Sequence, residues 1–359
     1  MIYRLLKFTK YSILTLVIFV ILLLLPVVYV ETFCRHDPSE PTYNSIIKDE
    51  KWLRTEANSY LTYPEWHIVY AYEGLAKILE KNDEHGFDYF ESIRGFWLSF
   101  CSLNKVANKH GGGDFNTRGT VHTIGVSFTL EMVMKALYEE TIGRLFAIFR
   151  GNQKSPQDIY SAQMAADYAN FLQQVPWYKY DFDKATAQLW ENPTSSFLRG
   201  WVRRLALGGE WKEKASYAQV IAKAVEAAGQ APLRIRSVIS NISLYNLKAI
   251  EGIDVIEQTG QSIIIETPRY RKFTRILQKL TKANAVINEI AGNDDIMLSS
   301  VGNPKSKVFQ PKNAILISRL TRDGYDSERF LLSLKVNNLN YVLEELYSEG
   351  LEIEHIYDY

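Results

Sequence analysis

The sequence predicts an α+β protein: an N-terminal transmembrane helix, a mostly α-helical middle domain and a C-terminal two-layer α+β sandwich of ferredoxin-like type. Three observations carry the prediction. Residues 11–30 are apolar and uncharged, the periodicity is helical from about 60 to 228, and it changes to a period of two after about 231. The expected parts are 1–35 (cytoplasmic stub and anchor), 36–230 (helical membrane-proximal domain) and 231–359 (sandwich).

The anchor is predicted from the 20 uncharged residues YSILTLVIFVILLLLPVVYV at positions 11–30. At 1.5 Å per residue such a helix covers about 30 Å, the thickness of the hydrocarbon layer of a bilayer. Arg4, Lys7 and Lys10 precede the run, so the positive-inside rule predicts a cytoplasmic N-terminus and an exported, periplasmic or extracellular, bulk. A cleaved signal peptide is the alternative. The length of the run and the lack of an A-x-A-like site favour an uncleaved signal-anchor.

Charge and cysteine content narrow the classes of partner. Lys+Arg and Asp+Glu both number 41, so the chain lacks the basic field that drives nucleic-acid binding, and no nucleic-acid partner is expected. Export would permit a disulfide between the two cysteines, Cys34 and Cys101; two unpaired thiols are the alternative. No cofactor is expected, and the sequence leaves the oligomeric state open.

The middle region reads as a series of helices after a polar lead-out at 36–59 that contains Pro38 and Pro41. Glycine pairs and triplets and single prolines separate the expected helices, which span 63–82, 87–108, 118–149, 155–174, 183–191, 194–207 and 210–228. The segment 118–149 is too charged for a second span. Its polar stripe (Thr123, Ser127, Glu131, Lys135, Glu139) and its apolar stripe (Val126, Leu130, Val133, Leu137) predict an amphipathic helix packed on a core.

The C-terminal region predicts two similar units. Each contains a hairpin, a helix and a strand: a turn at Thr259-Gly260, a helix at 269–283 and a strand at 285–291, then a strand at 295–301, a turn at Asp323-Gly324, a helix at 338–349 and a strand at 351–357. A shift of 66 residues aligns them, placing Ile276 on Val342 and Asn284 on Gly350, two residue types that suit a helix C-cap. The strands are expected on one sheet, with both helices on one face.

A catalytic hypothesis centres on Glu65 and His67. Thr62-Tyr63-Pro64-Glu65 matches a capping box, which gives Glu65 a structural role. His67 shares a helix face with the small residues Ala71 and Gly74, so it is either a ligand-facing acid–base group or a hydrogen-bonded core histidine. In the catalytic reading its candidate partners lie on the same helix or on 118–149: Glu65, Glu73, His122 and Glu131.

Metal binding is not expected, because the histidines lack the spacing of a metal motif. His110, Asp114 and His122 bracket the triple glycine 111–113, but such loops commonly carry solvated polar residues. The glycine triplet also lacks the G-K-[ST] of a phosphate loop, which favours a flexible helix connection.

The stretch SSFLRGWVRRLALGGEWKEK at 195–214 predicts a membrane-surface helix. Basic and aromatic side chains suit the headgroup zone of a bilayer, and the residues expected there are Arg199, Trp201, Arg203, Arg204 and Trp211. A core-packing helix with a solvated basic face is the equal alternative.

These patterns support three hypotheses of function. The leading one is a membrane-anchored envelope protein that binds or assembles with membrane proteins or lipids. The second is a membrane-bound enzyme with a polar site around His67. The third is a ligand sensor that uses the C-terminal sandwich, by analogy with other sandwiches of this type.

Overall fold

The computed structural model describes residues 2–35, 43–194, 197–228, 233–306 and 309–359. The fold is α+β and mostly helical, with two antiparallel sheets in the C-terminal region. Pro38 and Pro41 of the predicted lead-out, and the predicted domain boundary at 230, lie outside the described residues.

The helices of the N-terminal two thirds form a layered bundle around an aromatic core. Their bounds are α1 Ile2–Phe33, α2 Ala57–Leu61, α3 Tyr63–Leu79, α4 Tyr89–Lys109, α5 Phe115–Tyr138, α6 Arg144–Arg150, α7 Pro156–Leu172, α8 Phe182–Glu191 and α9 Phe197–Ala228. A π-helical turn, Glu139–Gly143, joins α5 to α6. Short 3-10 turns lie at Glu50–Trp52, Glu84–Gly86 and Trp177–Lys179.

The helix α1 contains an apolar stretch, Lys10–Phe33, that is long enough to cross a membrane, with a mean hydropathy of 3.1. Its end is built into the bundle, because Val30 and Cys34 are fully buried. A disulfide joins Cys34 to Cys101 of α4 with their Cα atoms 5.1 Å apart, and Asn104 Nδ2 donates to the Cys34 carbonyl at 3.2 Å. The anchor candidate is therefore continuous with the core of the bundle.

Two local expectations are wrong. Thr62 has helical dihedrals and its hydroxyl bonds to the Ser59 carbonyl, so α2 runs almost directly into α3 and the capping box does not form. The predicted break at Gly208-Gly209 is absent, since α9 continues through both glycines. A glycine costs a helix only about 1 kcal/mol, and Gly208 lies close against Trp190, where a larger residue would crowd the indole.

The C-terminal region forms two sheets, not the single sheet expected. The first holds β1 Arg234–Ser240, β2 Asp254–Thr259, β3 Ser262–Pro268 and β4 Val286–Ile290 in the order β2-β3-β1-β4. The second holds β5 Asp295–Gly302, β6 Ile315–Thr321, β7 Glu328–Lys335 and β8 Glu352–Tyr357 in the order β6-β7-β5-β8. The additional helices are α10 Leu244–Lys248, α11 Tyr270–Lys282 and α12 Leu339–Ser348. In each unit the strand that precedes the hairpin pairs with its own last strand and closes a separate sheet.

The two units repeat each other in detail. Asn284 and Gly350 both have positive φ, 58° and 81°, as their predicted C-cap role requires. The breaks in strand register also recur with a shift of 61 residues: Val238/Ile239 matches Ser299/Ser300, and Val255/Glu257 matches Leu316/Ser318. Because β-bulges are specific structural features, their repetition supports a duplicated unit.

The units share one core and exchange contacts. The side chain of Thr274 on α11 accepts a hydrogen bond from Ile356 N of β8 at 3.0 Å. Asn340 on α12 donates to the Ala285 carbonyl just before β4 at 2.9 Å. Each unit's helix thus covers the last strand of the other unit, an edge that would otherwise expose backbone groups.

The second sheet also contacts the helical bundle. Met297, Leu331 and Tyr357 belong to the bundle's aromatic core, and Ser59 Oγ of α2 donates to the Tyr357 carbonyl at 2.8 Å. The first sheet is covered on part of one face by the segment that contains Ile47 and Trp52. The helical and sheet regions therefore pack through the second sheet.

Candidate functional site

His67 lies in the core between α3, α4 and α5. Its Nε2 atom donates to the Ser92 carbonyl at 2.9 Å, and its ring meets Phe96 and Phe128 edge-on with centroid distances of 5.8 and 5.9 Å. Burial lowers the pKa of His67 to about 4, so the ring is neutral near pH 7. These contacts are those of a hydrogen-bonded core histidine.

The small residues beside His67 accommodate protein, not a ligand. The turn between β6 and β7 packs on Gly74, where an added Cβ would lie 2.6 Å from Asp323 Cβ. The same turn places the Gly324 backbone against the Gly74 carbonyl. The space beside Gly74 is therefore filled by the second sheet.

The other candidate catalytic residues have separate partners. Glu65 is exposed. Glu73 accepts from Tyr325 Oη at 3.1 Å, Glu131 accepts from Lys214 Nζ at 2.9 Å, and His122 Nε2 lies 2.8 Å from Glu31 Oε1 of α1. The structure does not bring these five side chains into one site. Two shallow surface depressions lie elsewhere, on α9 near Lys212 and on α1 near Leu16.

The polar residues around the triple glycine do not converge either. Asp114 caps α5 by accepting from Thr117 N at 2.6 Å. His122 faces α1, whereas His110 faces Glu56 and the second sheet.

The expected membrane-surface helix is corrected for three of its five residues. Arg199, Arg203 and Trp211 are buried, with exposed fractions of 1%, 0% and 2%. Arg204 is partly buried against the Asn192 carbonyl, and Trp201 remains 40% exposed. Arg199 and Arg203 lie four residues apart on the inner side of α9, where acidic residues from distant parts of the chain meet them.

Arg199 and Arg203 belong to a buried ion-pair network between α6, α7, α9 and the Glu84–Gly86 turn. Arg203 contacts Glu84 and Glu139, while Arg199 Nε donates to Asp158 Oδ1 at 3.0 Å. Burial would raise the pKa of Asp158, but the charges of Arg199 and Arg203 outweigh it and hold that pKa well below its usual range. Arg150 completes the network by pairing with Asp83 and Asp158, at 2.9 and 2.7 Å.

A second set of ion pairs lies under α5. Lys135 Nζ donates to Glu210 Oε2 at 2.8 Å, and Lys214 lies 2.9 Å from Glu131 and 3.2 Å from Glu210. The predicted outward polar stripe is therefore wrong for Glu131, Lys135 and Glu139, which all point toward α9. Glu131 and Lys135, four residues apart on α5, contact Lys214 and Glu210 of α9.

The outward side of α5, α6 and the adjacent part of α9 is largely apolar. Leu130 and Leu137, which were expected in the core, are exposed on this side. We call it the outer apolar face. On α5 and α6 it contains Leu130, Met134, Leu137, Leu145, Ile148 and Phe149, with exposed fractions of 41%, 58%, 57%, 50%, 72% and 70%. The adjacent part of α9 adds Leu198, Trp201 and Leu205, at 55%, 40% and 63%. The exposed charges Glu140 and Arg144 pair with each other at 2.6 Å.

Comparison with known proteins adds no relative. No protein-family model, no curated protein and no solved structure matches this chain. What the chain does must therefore be argued from its own geometry.

Proposed function

We propose that the protein is a single-pass, membrane-anchored envelope protein whose helical domain binds the membrane through the outer apolar face. The observation that carries the proposal is the apolar outer side of α5 and α6. Glu131, Lys135 and Arg150 point into the bundle, whereas six large apolar side chains point out: Leu130, Met134, Leu137, Leu145, Ile148 and Phe149. In water, each exposed square ångström of such a surface costs about 25 cal/mol, which contact with hydrocarbon would recover.

The anchor supports this role. Because Val30 and Cys34 are buried in the bundle, a membrane-spanning α1 would hold the domain directly at the bilayer surface. Tethering of this kind raises the effective concentration of the face near lipid without any new contact. The Cys34–Cys101 disulfide suits an oxidising compartment and thus an exported bulk with a cytoplasmic N-terminus.

Lipid is the partner that the border of the face favours. Trp190 and Trp201 pack edge-on there at 5.7 Å, and the Arg204 guanidinium lies over Trp190 at 5.6 Å. Tryptophan and arginine beside an apolar surface suit the headgroup region of a bilayer. A membrane protein with an apolar helix is the alternative partner.

The proposal is tested by placing a spin label on the face. Cys34 and Cys101 are the chain's two cysteines and are paired, so Ile148→Cys supplies a single free thiol in the full-length protein in lipid vesicles. A nitroxide at position 148 is expected to be more accessible to oxygen, which dissolves in the bilayer, than to a water-soluble nickel complex, which does not. The matched control is Tyr341→Cys on α12, a site that is 64% exposed and is expected to show the reverse.

Equal nickel accessibility at positions 148 and 341 would defeat the lipid proposal. A label at 148 shielded from both oxygen and nickel would instead indicate a protein partner on the face. Photo-crosslinking from position 148 in cells would then identify whether that partner is a membrane protein.

For the C-terminal region we infer that each sheet, with the helix that precedes its last strand, is a ferredoxin-like unit. The support is the strand order, which reads β4-β1-β3-β2 and β8-β5-β7-β6 with all neighbours antiparallel. The enzyme hypothesis at His67 and the sensor hypothesis have less support. The candidate residues around His67 do not form one polar site, and the surface depressions near Lys212 and Leu16 lie outside the C-terminal sheets.

A further inference from the structure

A compact polar cluster lies where the helical bundle meets the second sheet. Glu56 comes just before α2, His110 just after α4, and Asp295 begins β5. His110 Nδ1 is 3.2 Å from Glu56 Oε2 and 3.8 Å from Asp295 Oδ2. One ligand atom from each of the three residues lies within 4.8 Å of the other two.

The cluster carries more negative charge than its neighbours balance. Glu56 and Asp295 are 7% and 9% exposed. Glu56 Oε1 accepts from Asp295 N at 3.0 Å, and in the described parts of the chain no lysine or arginine pairs with the Glu56 carboxylate. Lys335 is shared between Asp294 and Asp295. A buried carboxylate requires a cation or a proton nearby, and Lys335 alone does not neutralise Glu56, Asp294 and Asp295.

The second nitrogen of His110 has its own partner. Nε2 lies 3.4 Å from Tyr60 Oη, and that hydroxyl lies 2.7 Å from Ser333 Oγ. The His110 ring also stacks on Tyr60 with centroids 5.0 Å apart, which fixes its orientation. When Nε2 carries the proton and donates to Tyr60, the Nδ1 lone pair faces both carboxylates. Such an outer hydrogen bond is how proteins set the metal-binding tautomer of a histidine.

We propose that Glu56, His110 and Asp295 form a binding site for a divalent transition-metal ion, with Zn²⁺ as the best match. One imidazole and two carboxylates are common ligands of Zn²⁺, and water can take a fourth position. Lys335 keeps its partner Asp294 at 2.9 Å when Asp295 turns to the ion. The ion would fasten the end of α4 and the start of α2 to β5. This proposal is independent of the membrane-binding role.

The competing arrangement is a proton on His110 Nδ1 held between the two carboxylates. Only the metal site would bind Zn²⁺ stoichiometrically, so a metal titration distinguishes the metal ion from the proton. The test uses the full-length protein in detergent, stripped with a chelator and titrated with ZnCl₂. One Zn²⁺ per chain is expected, with a dissociation constant below about 10 µM, together with a rise in the unfolding temperature. Replacement by Co²⁺ is expected to give visible absorption bands of a bound ion.

Two variants and a control locate the site. His110→Ala is expected to weaken Zn²⁺ binding by about 100-fold or more. Glu56→Gln keeps an acceptor for Asp295 N, so it is expected to stay folded while binding at least about tenfold more weakly. His85→Ala, a histidine outside the cluster, is expected to bind like the parent protein. Absence of stoichiometric binding in the parent, or unchanged binding in both cluster variants, would overturn the proposal in favour of the proton.

Discussion

Arg203 shows how strongly a single side chain depends on partners that are far away in sequence. It is fully buried between Glu84 and Glu139, which lie 119 and 64 residues from it. The helical spacing of α9 indicates that Arg199 and Arg203 share a face, but spacing alone does not show whether water or acidic residues meet that face. That is why a membrane-surface role was predicted for residues that lie in the core.

Replacing Arg203 is expected to destabilise the protein severely. Arg203→Met leaves Glu139 buried without its arginine and leaves Glu84 with only the longer contact to Arg199 at 3.5 Å, at an expected cost of about 3–5 kcal/mol in the free energy of unfolding. Arg144→Met is the matched control because it removes an exposed arginine from its pair with Glu140 and should cost less than about 1 kcal/mol. Chemical denaturation of both variants measures the difference; similar values would contradict a buried network.

Acid is expected to destabilise the protein through His67. Burial lowers its pKa from 6.5 to about 4, so between these values the unfolded chain binds a proton that the folded chain excludes. The contribution of the neutral His67 ring to the free energy of unfolding is complete above pH 6.5. It falls as the pH drops toward 4, by at most roughly 3 kcal/mol. Burial also lowers the pKa of His355, to about 3, so it acts in the same direction.

His67→Gln tests this pH dependence. Glutamine retains a donor for the Ser92 carbonyl but does not titrate, so the variant is expected to lose less stability than the parent between pH 6.5 and 4. Unfolding curves across this range provide the measurement. An unchanged pH slope would show that His67 is protonated in the folded state. The sequence predicts the helix that carries His67. Whether His67 is an acid–base group or a core histidine depends on what its ring contacts, which the sequence does not show.

At the scale of elements, α5 shows that a hydrophobic pattern does not predict which face of a helix is buried. Thr123 and Ser127 of its polar stripe are exposed as expected. The later part of the helix is reversed, because Glu131, Lys135 and Glu139 point toward α9 while Leu130 and Leu137 are exposed. A hydrophobic pattern predicts that a helix has two faces, and the choice of inner face assumes water outside. The π-helical turn at Glu139–Gly143 adds a further change, because it shifts the register between α5 and α6.

The repeated C-caps of α11 and α12 make a matched pair for measurement. Gly350→Ala places a Cβ at a φ of 81° and is expected to cost about 1–2 kcal/mol. Asn284→Gly, at a φ of 58° in the equivalent position, is expected to be neutral or slightly stabilising. Thermal unfolding of the two variants tests the duplication; a cost at Asn284 larger than at Gly350 would contradict equivalent roles.

At the scale of the molecule, periodicity predicted the helix-rich and strand-rich regions and the hairpins, helices and last strands of both C-terminal units. It did not predict that they form two sheets. Pairing of β1 with β4 and of β5 with β8 depends on contacts between distant residues, which local alternation does not encode. The outer apolar face was likewise hidden, since it combines α6 with a part of α9 about 50 residues away.

The disulfide is expected to contribute to the stability of the whole bundle. It closes a loop of 67 residues, for which loop entropy gives about 4 kcal/mol and typical measurements give about 2–4 kcal/mol. The double variant Cys34→Ser, Cys101→Ser should unfold at correspondingly lower denaturant concentration. Reductant should have a similar effect on the parent and none on the double variant; equal sensitivity in both would show that the bridge is not the cause.

The way α1 enters the bundle also limits how the protein can move. A domain on a flexible tether samples many heights and orientations above the membrane. If α1 spans the membrane as proposed, its continuation into the bundle would hold the domain at one height and one tilt in a given bilayer, while leaving it free to rotate about the membrane normal. Any partner must then be met by lateral diffusion at that fixed height. Because spanning helices tilt to match the thickness of the bilayer, a thinner or thicker membrane would change the tilt of the whole domain. The lipid composition of the membrane would then set the angle between the domain and the bilayer.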